Sequence, residues 1–101
     1  SSVLTVGDLS LDTGSHQVTR GGVPIELSSK EYAILEYMCM NPAIVLSREK
    51  IENHIWNYDH SGGSNVVDVY ISYLRKKIDG GRPKKLIHTV WGSGWTLKEE
   101  T

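Results

Sequence analysis

A chain of 101 residues with 39% hydrophobic and 23% charged residues has the length and composition of one globular domain, which we assign to residues 1–101. It contains no apolar run near the about 20 residues that a membrane-spanning helix needs, so no membrane partner is expected. The single Cys39 excludes an internal disulfide, and the start of the chain shows no secretory signal, so we expect a cytoplasmic protein.

The net charge of −1 conceals an uneven distribution along the chain. Residues 1–64 carry four Lys and Arg against eight Asp and Glu, whereas residues 65–101 carry seven against four. The cations of the second part cluster at Arg75, Lys76, Lys77, Arg82, Lys84 and Lys85. A basic patch on an acidic body indicates an anionic partner such as a nucleic acid. The alternative is a solvated helix end whose cations only favour the helix dipole.

The first 27 residues alternate short β-like runs with turn residues. The runs are residues 3–6, 9–12, 17–20 and 23–27, and glycines lie in the turns between them. This spacing predicts a four-stranded antiparallel meander, in which Gly22 is well placed for a positive φ angle.

Two helices are predicted next, each with a serine at its N-terminus. Ser28 and Glu31 have the spacing of a capping box, and the helix should end near Met40 because Asn41 precedes a proline. Its apolar face contains Tyr32, Leu35, Met38 and Cys39. Cys39 is therefore interpreted as a core residue rather than a nucleophile. Ser47 caps the second helix, whose apolar side chains are Ile51, Ile55 and Trp56.

The segment 65–79 predicts a third helix with two contrasting faces, and Ser64 or Asn65 can cap it. Four apolar residues recur along one face, at Val67, Ile71, Leu74 and Ile78. The opposite face presents Asn65, Val69, Ser72, Tyr73 and Lys76. These amide, methyl, hydroxyl and cationic groups are of the kinds that contact base edges and phosphates, which favours DNA as the partner.

Residues 87–91 and 95–98 predict a β-hairpin that closes around Gly92, Ser93 and Gly94. Trp95 is predicted to lie in the core. Trp91 has two interpretations, since its ring either packs on the sheet or lies exposed beside a nucleic acid backbone. A groove-sized helix beside a hairpin is the physical description of a winged-helix DNA-binding domain.

Four blocks of the sequence resemble, in order and spacing, the C-terminal effector domain of OmpR/PhoB-type response regulators. The blocks are LSSKEYAILEYM, VLSREKIENHIW, NVVDVYISYLRKKI and IHTVWGSGWTL. The resemblance implies an α+β winged helix-turn-helix with an N-terminal four-stranded antiparallel sheet, three helices and a C-terminal hairpin wing. It also implies bacterial two-component signalling, in which a separate N-terminal receiver domain dimerises and two copies bind tandem half-sites.

The function predicted is sequence-specific binding of double-stranded DNA to control transcription, with helix 65–79 in the major groove and the wing 87–97 at the minor groove. Base contacts are predicted for Asn65, Val69, Ser72 and Tyr73. Phosphate contacts are predicted for Arg75, Lys76, Lys77, Lys84, Lys85 and Thr89, although Arg75 has an alternative as an internal partner of Asp68 or Asp79. The wing residues are Trp91, Gly92, Ser93 and Gly94. The resemblance implies that Asn57, Tyr58, Asp59 and His60 contact RNA polymerase.

Other functions remain as alternatives. The third helix could dock on a protein, as in a winged-helix interaction module, or Tyr73 and Trp91 could stack on single-stranded nucleic acid. His54, Asp59 and His60 lie close in sequence, but their spacing matches no standard zinc site. No nucleophile motif brings Ser, His and Asp together. We therefore predict no catalytic residue, no metal and no cofactor.

Overall fold

A four-stranded antiparallel sheet opens the fold in the computed structural model, which describes residues 2–56 and 66–100. The strands pair in chain order as β1 Val3–Val6, β2 Leu9–Asp12, β3 Gln17–Arg20 and β4 Val23–Ile25. This confirms the predicted meander, although β4 ends two residues earlier than expected. Gly22 has the expected positive φ angle, +82°, in the β3–β4 turn.

One face of this sheet is apolar and packs on the helices. The paired residues Leu4, Leu11, Val18 and Ile25 form a continuous apolar row across the four strands. Leu11 and Val18 are buried at the centre of the row, and Leu4 and Ile25 pack against the core at its ends. The alternation of strand side chains thus turns one side of the sheet towards the core.

Helix α1 spans Ser29–Met40 and α2 spans Arg48–Ile55. The predicted capping box is present, since the Glu31 amide donates to Ser28 Oγ and the Ser28 amide donates to Glu31 Oε1. The predicted apolar face of α1 is buried, and burial raises the pKa of the Cys39 thiol to about 12. That thiol is a poor nucleophile because it stays protonated. Ser47 caps α2 as expected.

Helix α3 spans Val66–Ile78, and the wing consists of β5 Ile87–Val90 and β6 Gly94–Leu97. All four residues of the predicted apolar stripe, Val67, Ile71, Leu74 and Ile78, are buried. The proposed caps Ser64 and Asn65 lie outside the described residues. Trp91 belongs to the turn rather than to β5, so this arm of the hairpin is one residue shorter than expected.

A buried ion pair joins the sheet to the end of α3. Arg20 and Asp79 are only 2% and 4% exposed, and the Arg20 Nη1 donates to Asp79 Oδ1 at 2.7 Å. The same guanidinium donates to the carbonyl oxygens of Ile78 and Lys84, both at 2.7 Å. The Asp79 carboxylate in turn accepts from the amides at positions 86 and 87, both at 3.0 Å. The pair therefore fixes β3, the end of α3 and the start of the wing together.

The far end of the wing is held against the entry to α2. Leu46 and Trp95 exchange two backbone hydrogen bonds, at 2.8 and 3.0 Å, and the Trp95 ring is buried as predicted. Gly94 has a φ of +144°, and a Cβ there would lie 2.1 Å from the Leu46 carbonyl oxygen. Only glycine permits this close approach, which sets the position of the wing relative to α2 and α3.

Replacing Asp79 tests the buried ion pair. We expect Asp79→Ala to lower the free energy of unfolding by about 3–5 kcal/mol, because it leaves two buried amides without an acceptor and leaves the buried Arg20 with only the exposed Asp8 as a carboxylate partner. Urea denaturation followed by circular dichroism measures the loss. The matched control is Asp68→Ala, which removes an exposed partner of Arg48 and should cost at most about 1 kcal/mol. Equal losses in the two variants would contradict the central role of the buried pair.

A second substitution tests the attachment of the wing. We expect Gly94→Ala to lower the free energy of unfolding by more than about 3 kcal/mol, since it adds a clash to a strained backbone. Gly92→Ala is the control: its φ is +82° but its added Cβ meets nothing within 4 Å, so it should cost about 1–2 kcal/mol. If thermal unfolding places Gly94→Ala at or above the stability of Gly92→Ala, the contact with Leu46 is not as described.

Candidate nucleic-acid interface

A groove of about 690 Å³ runs between α3, the start of α2 and the wing. Ser72, Arg75 and Lys76 line it from α3, and Arg48 lines it from α2. The wing forms the other side, from Thr89 to Trp95. Three separate parts of the chain thus meet around one cleft that mixes cationic, hydroxyl and apolar side chains, with Glu49 and Asp68 as its acidic members.

The described residues of the predicted reading face are on the surface of α3. Val69 is 37% exposed and Tyr73 is 46% exposed, and Ser72 and Lys76 are exposed between and beyond them. Their spacing along the helix places them on one side, opposite the buried stripe. Asn65 lies outside the described residues, so its predicted contact stays a prediction.

Tyr73 is the outermost of three aromatic side chains that contact one another in series. The Tyr73 ring meets Tyr70 edge-on, with ring centroids 5.8 Å apart, and Tyr70 lies 5.7 Å from Trp56 at the end of α2. Edge-to-face contacts of this kind stabilise aromatic pairs. The direction in which Tyr73 leaves the helix is therefore set by packing as well as by its rotamer.

Arg75 connects the helix to the wing. Its Nη2 donates to the Thr89 hydroxyl, which keeps its own proton for another acceptor. The alternative of an internal ion pair was wrong for both candidates, because Asp68 is paired with Arg48 and Asp79 with Arg20. Arg75 and Thr89 both line the groove, where we predicted phosphate contacts for them.

Lys76 and Lys77 are neighbours in sequence but face different surroundings. Lys76 lines the groove and has no ion-pair partner among the described residues. Lys77 Nζ instead lies 2.7 Å from Glu31 Oε1 on α1. Burial raises the pKa of Glu31, but the Lys77 ammonium and the Ser28 amide together lower it by more than burial raises it. The pKa of Glu31 therefore lies below its usual value. Lys77 thus holds α3 to α1 rather than facing the groove.

The last two predicted phosphate contacts also lie away from the groove. Lys85 Nζ donates to the carbonyl oxygens of Asp79 and Arg82, at 3.1 and 2.6 Å, and so satisfies the chain just beyond α3. Lys84 lies on a separate surface that includes Asp8 and Glu99. The basic cluster in the sequence is therefore divided in space: Arg75, Lys76 and Thr89 line the groove, whereas Lys77, Lys84 and Lys85 lie outside it, and their phosphate contacts stay predictions.

Arg48 is a groove residue that the sequence analysis did not identify. It donates to both carboxylate oxygens of Asp68, at 2.8 and 3.0 Å, and lies 5.8 Å from the centre of the Trp95 ring. The hydrogen bonds and charge of Asp68 raise the pKa of Arg48. Its charge belongs to the net acidic part of the chain, so the charge pattern concealed it. The sequence does offer one signal. Arg48 directly follows the cap Ser47, and a helix N-terminus that also carries a cation is a favourable place for an anion such as a phosphate.

Trp91 projects into solvent from the turn at the tip of the wing. It is 90% exposed, which decides between the two interpretations of this residue in favour of exposure. Gly92 and Ser93 beside it are also exposed, and Gly94 is half-buried against Leu46.

The histidines form no ligand set in the described part of the chain. His54 stacks on Tyr37 with ring centroids 3.9 Å apart, and His16 stacks on Tyr32 at 4.1 Å. Residues 2–56 and 66–100 bring together no group of three or more His, Cys, Asp or Glu suited to a metal ion. Asp59 and His60 lie outside these ranges, as do Asn57 and Tyr58 of the predicted polymerase-contact loop. No helix in the same ranges is long and apolar enough to span a bilayer.

Comparisons with known proteins agree with this architecture. The family model described as transcriptional regulatory protein, C terminal, matches residues 22–97. TcrX, a probable transcriptional regulatory protein of Mycobacterium tuberculosis, is 52% identical over 95 residues, which are 94% of this chain and 40% of that protein. The chain therefore spans less than half the length of this relative.

Two solved structures extend the comparison to three dimensions. The RstA DNA-binding domain of Klebsiella pneumoniae, in complex with the RstA box, superposes with a TM-score of 0.85 at 26% identity, covering 97% of this chain and 98% of that chain. The response regulator DrrB of Thermotoga maritima, an OmpR/PhoB homologue, gives a TM-score of 0.82 at 34% identity, covering 97% of this chain and 45% of that chain. The chain belongs to the family of transcriptional regulatory protein C-terminal domains and has the winged-helix fold of OmpR/PhoB-type DNA-binding output domains.

Proposed function

We propose that this domain binds double-stranded DNA sequence-specifically, with α3 in the major groove and the wing at the adjacent minor groove, and thereby controls transcription. One observation carries the proposal: Ser72 and Lys76 of the exposed face of α3 border the same groove as the wing, and Val69 and Tyr73 are exposed on the same side of the helix. An α-helix with its side chains is about 10–12 Å across, which matches the about 12 Å width of the major groove. The RstA DNA-binding domain, which has this fold and was solved in complex with the RstA box, supports DNA as the partner.

The base-reading groups lie on the solvent side of α3. Val69 offers methyl groups that suit the thymine C5-methyl, whereas Ser72 and Tyr73 offer hydroxyls that both donate and accept. Asn65, for which the sequence predicts a base contact, would add an amide of the kind that pairs with adenine. This set reads hydrogen-bonding edges and methyl groups with little charge, so selectivity should depend on the fit of these side chains.

Phosphate binding is assigned to the cations that border the groove. Lys76 is the most available of them, and Arg75 with Thr89 forms a donor pair between helix and wing. Arg48 adds a further cation, partly neutralised by Asp68. Each neutralised phosphate contributes about −0.9 to the log–log salt slope, so a set this small predicts weak binding by one domain. Two copies on tandem half-sites would provide avidity.

The remaining proposals concern the longer protein of which such a domain is a part. A receiver domain preceding this chain would dimerise and bring two output domains to one promoter. Residues 57–60 would contact RNA polymerase between α2 and α3. The protein would act on bacterial DNA in the cytoplasm, within a two-component phosphorelay, and the domain itself would have no catalytic role. A protein-docking module is the second candidate function, favoured by the exposure of Tyr73 and Trp91.

The neighbouring lysines provide a matched test of DNA binding. Lys76→Ala should weaken binding to random-sequence duplex and reduce the magnitude of the salt slope by about 0.9, because one phosphate contact is lost. Lys77→Ala should leave the slope unchanged and lower only the stability, because its ammonium is paired with Glu31. Fluorescence anisotropy between about 50 and about 200 mM salt measures both. No binding even in dilute salt would favour protein docking instead, whereas equal slopes in all three proteins would remove Lys76 from the phosphate contacts.

Replacing Tyr73 tests the base-reading face. We expect Tyr73→Ala to lower the affinity for a selected duplex by about 10-fold and the affinity for random duplex by much less, because its ring and hydroxyl contact bases rather than phosphates. Tyr73→Phe keeps the ring and its contact with Tyr70 but removes the hydroxyl. It therefore distinguishes the contribution of the hydroxyl to affinity from that of the ring. Parallel losses on both duplexes would make Tyr73 a positioning residue.

A further inference from the structure

Trp91 is the most exposed large apolar side chain among the described residues. Its exposure of 90% contrasts with 7% for Trp95, four residues further along the same hairpin. Burying one aromatic side chain removes about 150–250 Å² from water, so an indole left in solvent is a large source of binding free energy. Burial of the Trp91 ring against a partner would therefore contribute substantially to binding.

The wing holds this indole out on a defined turn. Val90 pairs with Gly94 across the hairpin, and the Ser93 amide donates to the Val90 carbonyl oxygen at 2.9 Å. Behind the turn, the two backbone hydrogen bonds between Leu46 and Trp95 fix the hairpin to the helices. The position of Trp91 is therefore set by the same contacts that set the groove.

The groove beside Trp91 indicates which partner the indole contacts. Trp91 lines it together with Lys76 and Arg75, so an anionic polymer that follows these cations passes the indole. The tip itself, residues 90–95, contains no charged side chain. Its contact with DNA must therefore use backbone amides, the Ser93 hydroxyl and the indole. The indole N–H is a donor only, and the minor-groove edge of an A·T pair presents only acceptors.

We propose that Trp91 is a specificity-determining residue that enters the minor groove, with its ring against the sugar walls and its Nε1–H donating to an acceptor of an A·T pair. A G·C pair places an amino group on the same edge, which opposes a second donor. The inference rests on the proposed DNA-binding function and adds to it a nonionic minor-groove contact. This contact should favour A·T at one position flanking the bases read by α3, and it should be insensitive to salt.

Selection from a random duplex library tests the preference. The wild-type chain should enrich A·T at a flanking position, and Trp91→Phe should lose that enrichment while retaining the core sequence. On the wild-type-selected duplex, Trp91→Ala should bind about 10-fold more weakly with an unchanged salt slope. Trp91→Lys should instead steepen the slope by about 0.9, because it replaces the contact with an ionic one. Circular dichroism confirms that each variant is folded.

The outcomes separate this inference from the proposed function. If the wild-type chain binds no duplex even in dilute salt, the proposed function fails. If it binds, and Lys76→Ala weakens it while Trp91→Ala and Trp91→Phe match the wild type in affinity and preference, only the inference is overturned. Acrylamide quenching gives a direct check, since duplex should protect the fluorescence that Trp91→Phe lacks. A dimer without DNA that Trp91→Ala dissociates would assign the indole to protein contact and overturn the proposal.

Discussion

The buried pair of Arg20 and Asp79 is the interaction on which the arrangement of this domain depends. Removing two charges from water is costly, and here every polar atom of the pair that faces the protein has a partner. Those partners come from the sheet, the end of α3 and the start of the wing. A single cluster therefore sets the angle at which the helix and the hairpin leave the core, and the groove inherits its shape from that angle.

The two sides of the groove are then joined a second time at the surface. Arg75 and Thr89 link α3 to β5, and Gly94 brings β6 against the residue before the α2 cap. Because α3 and the wing are each held at both ends, their side chains would lose little conformational entropy on binding a partner. Under the proposed function, this preorganisation would compensate for the small number of cations that border the groove.

The sequence predicted the elements well because their signals are local. The capping box at Ser28, the stripe through Ile71 and the glycines of the turns each specify structure within a few residues. The partner of Lys77 was not predictable in the same way, since Glu31 lies 46 residues away in the sequence. Arg48 was missed for the same reason: only the fold brings it beside Asp68 and the wing. The exposure of Trp91 could not be predicted either, because periodicity does not distinguish a packed ring from a projecting one.

DNA binding through α3 and the wing is tested most directly by an NMR titration. The ¹⁵N-labelled domain is titrated with a duplex that the domain itself has selected. We expect the amide signals of residues 66–76 and of the wing tip to shift together with one affinity, whereas those of the four-stranded sheet stay unchanged. Shifts concentrated on the sheet or around the exposed Met40 and Ile44, with α3 and the wing unaffected, would contradict this expectation.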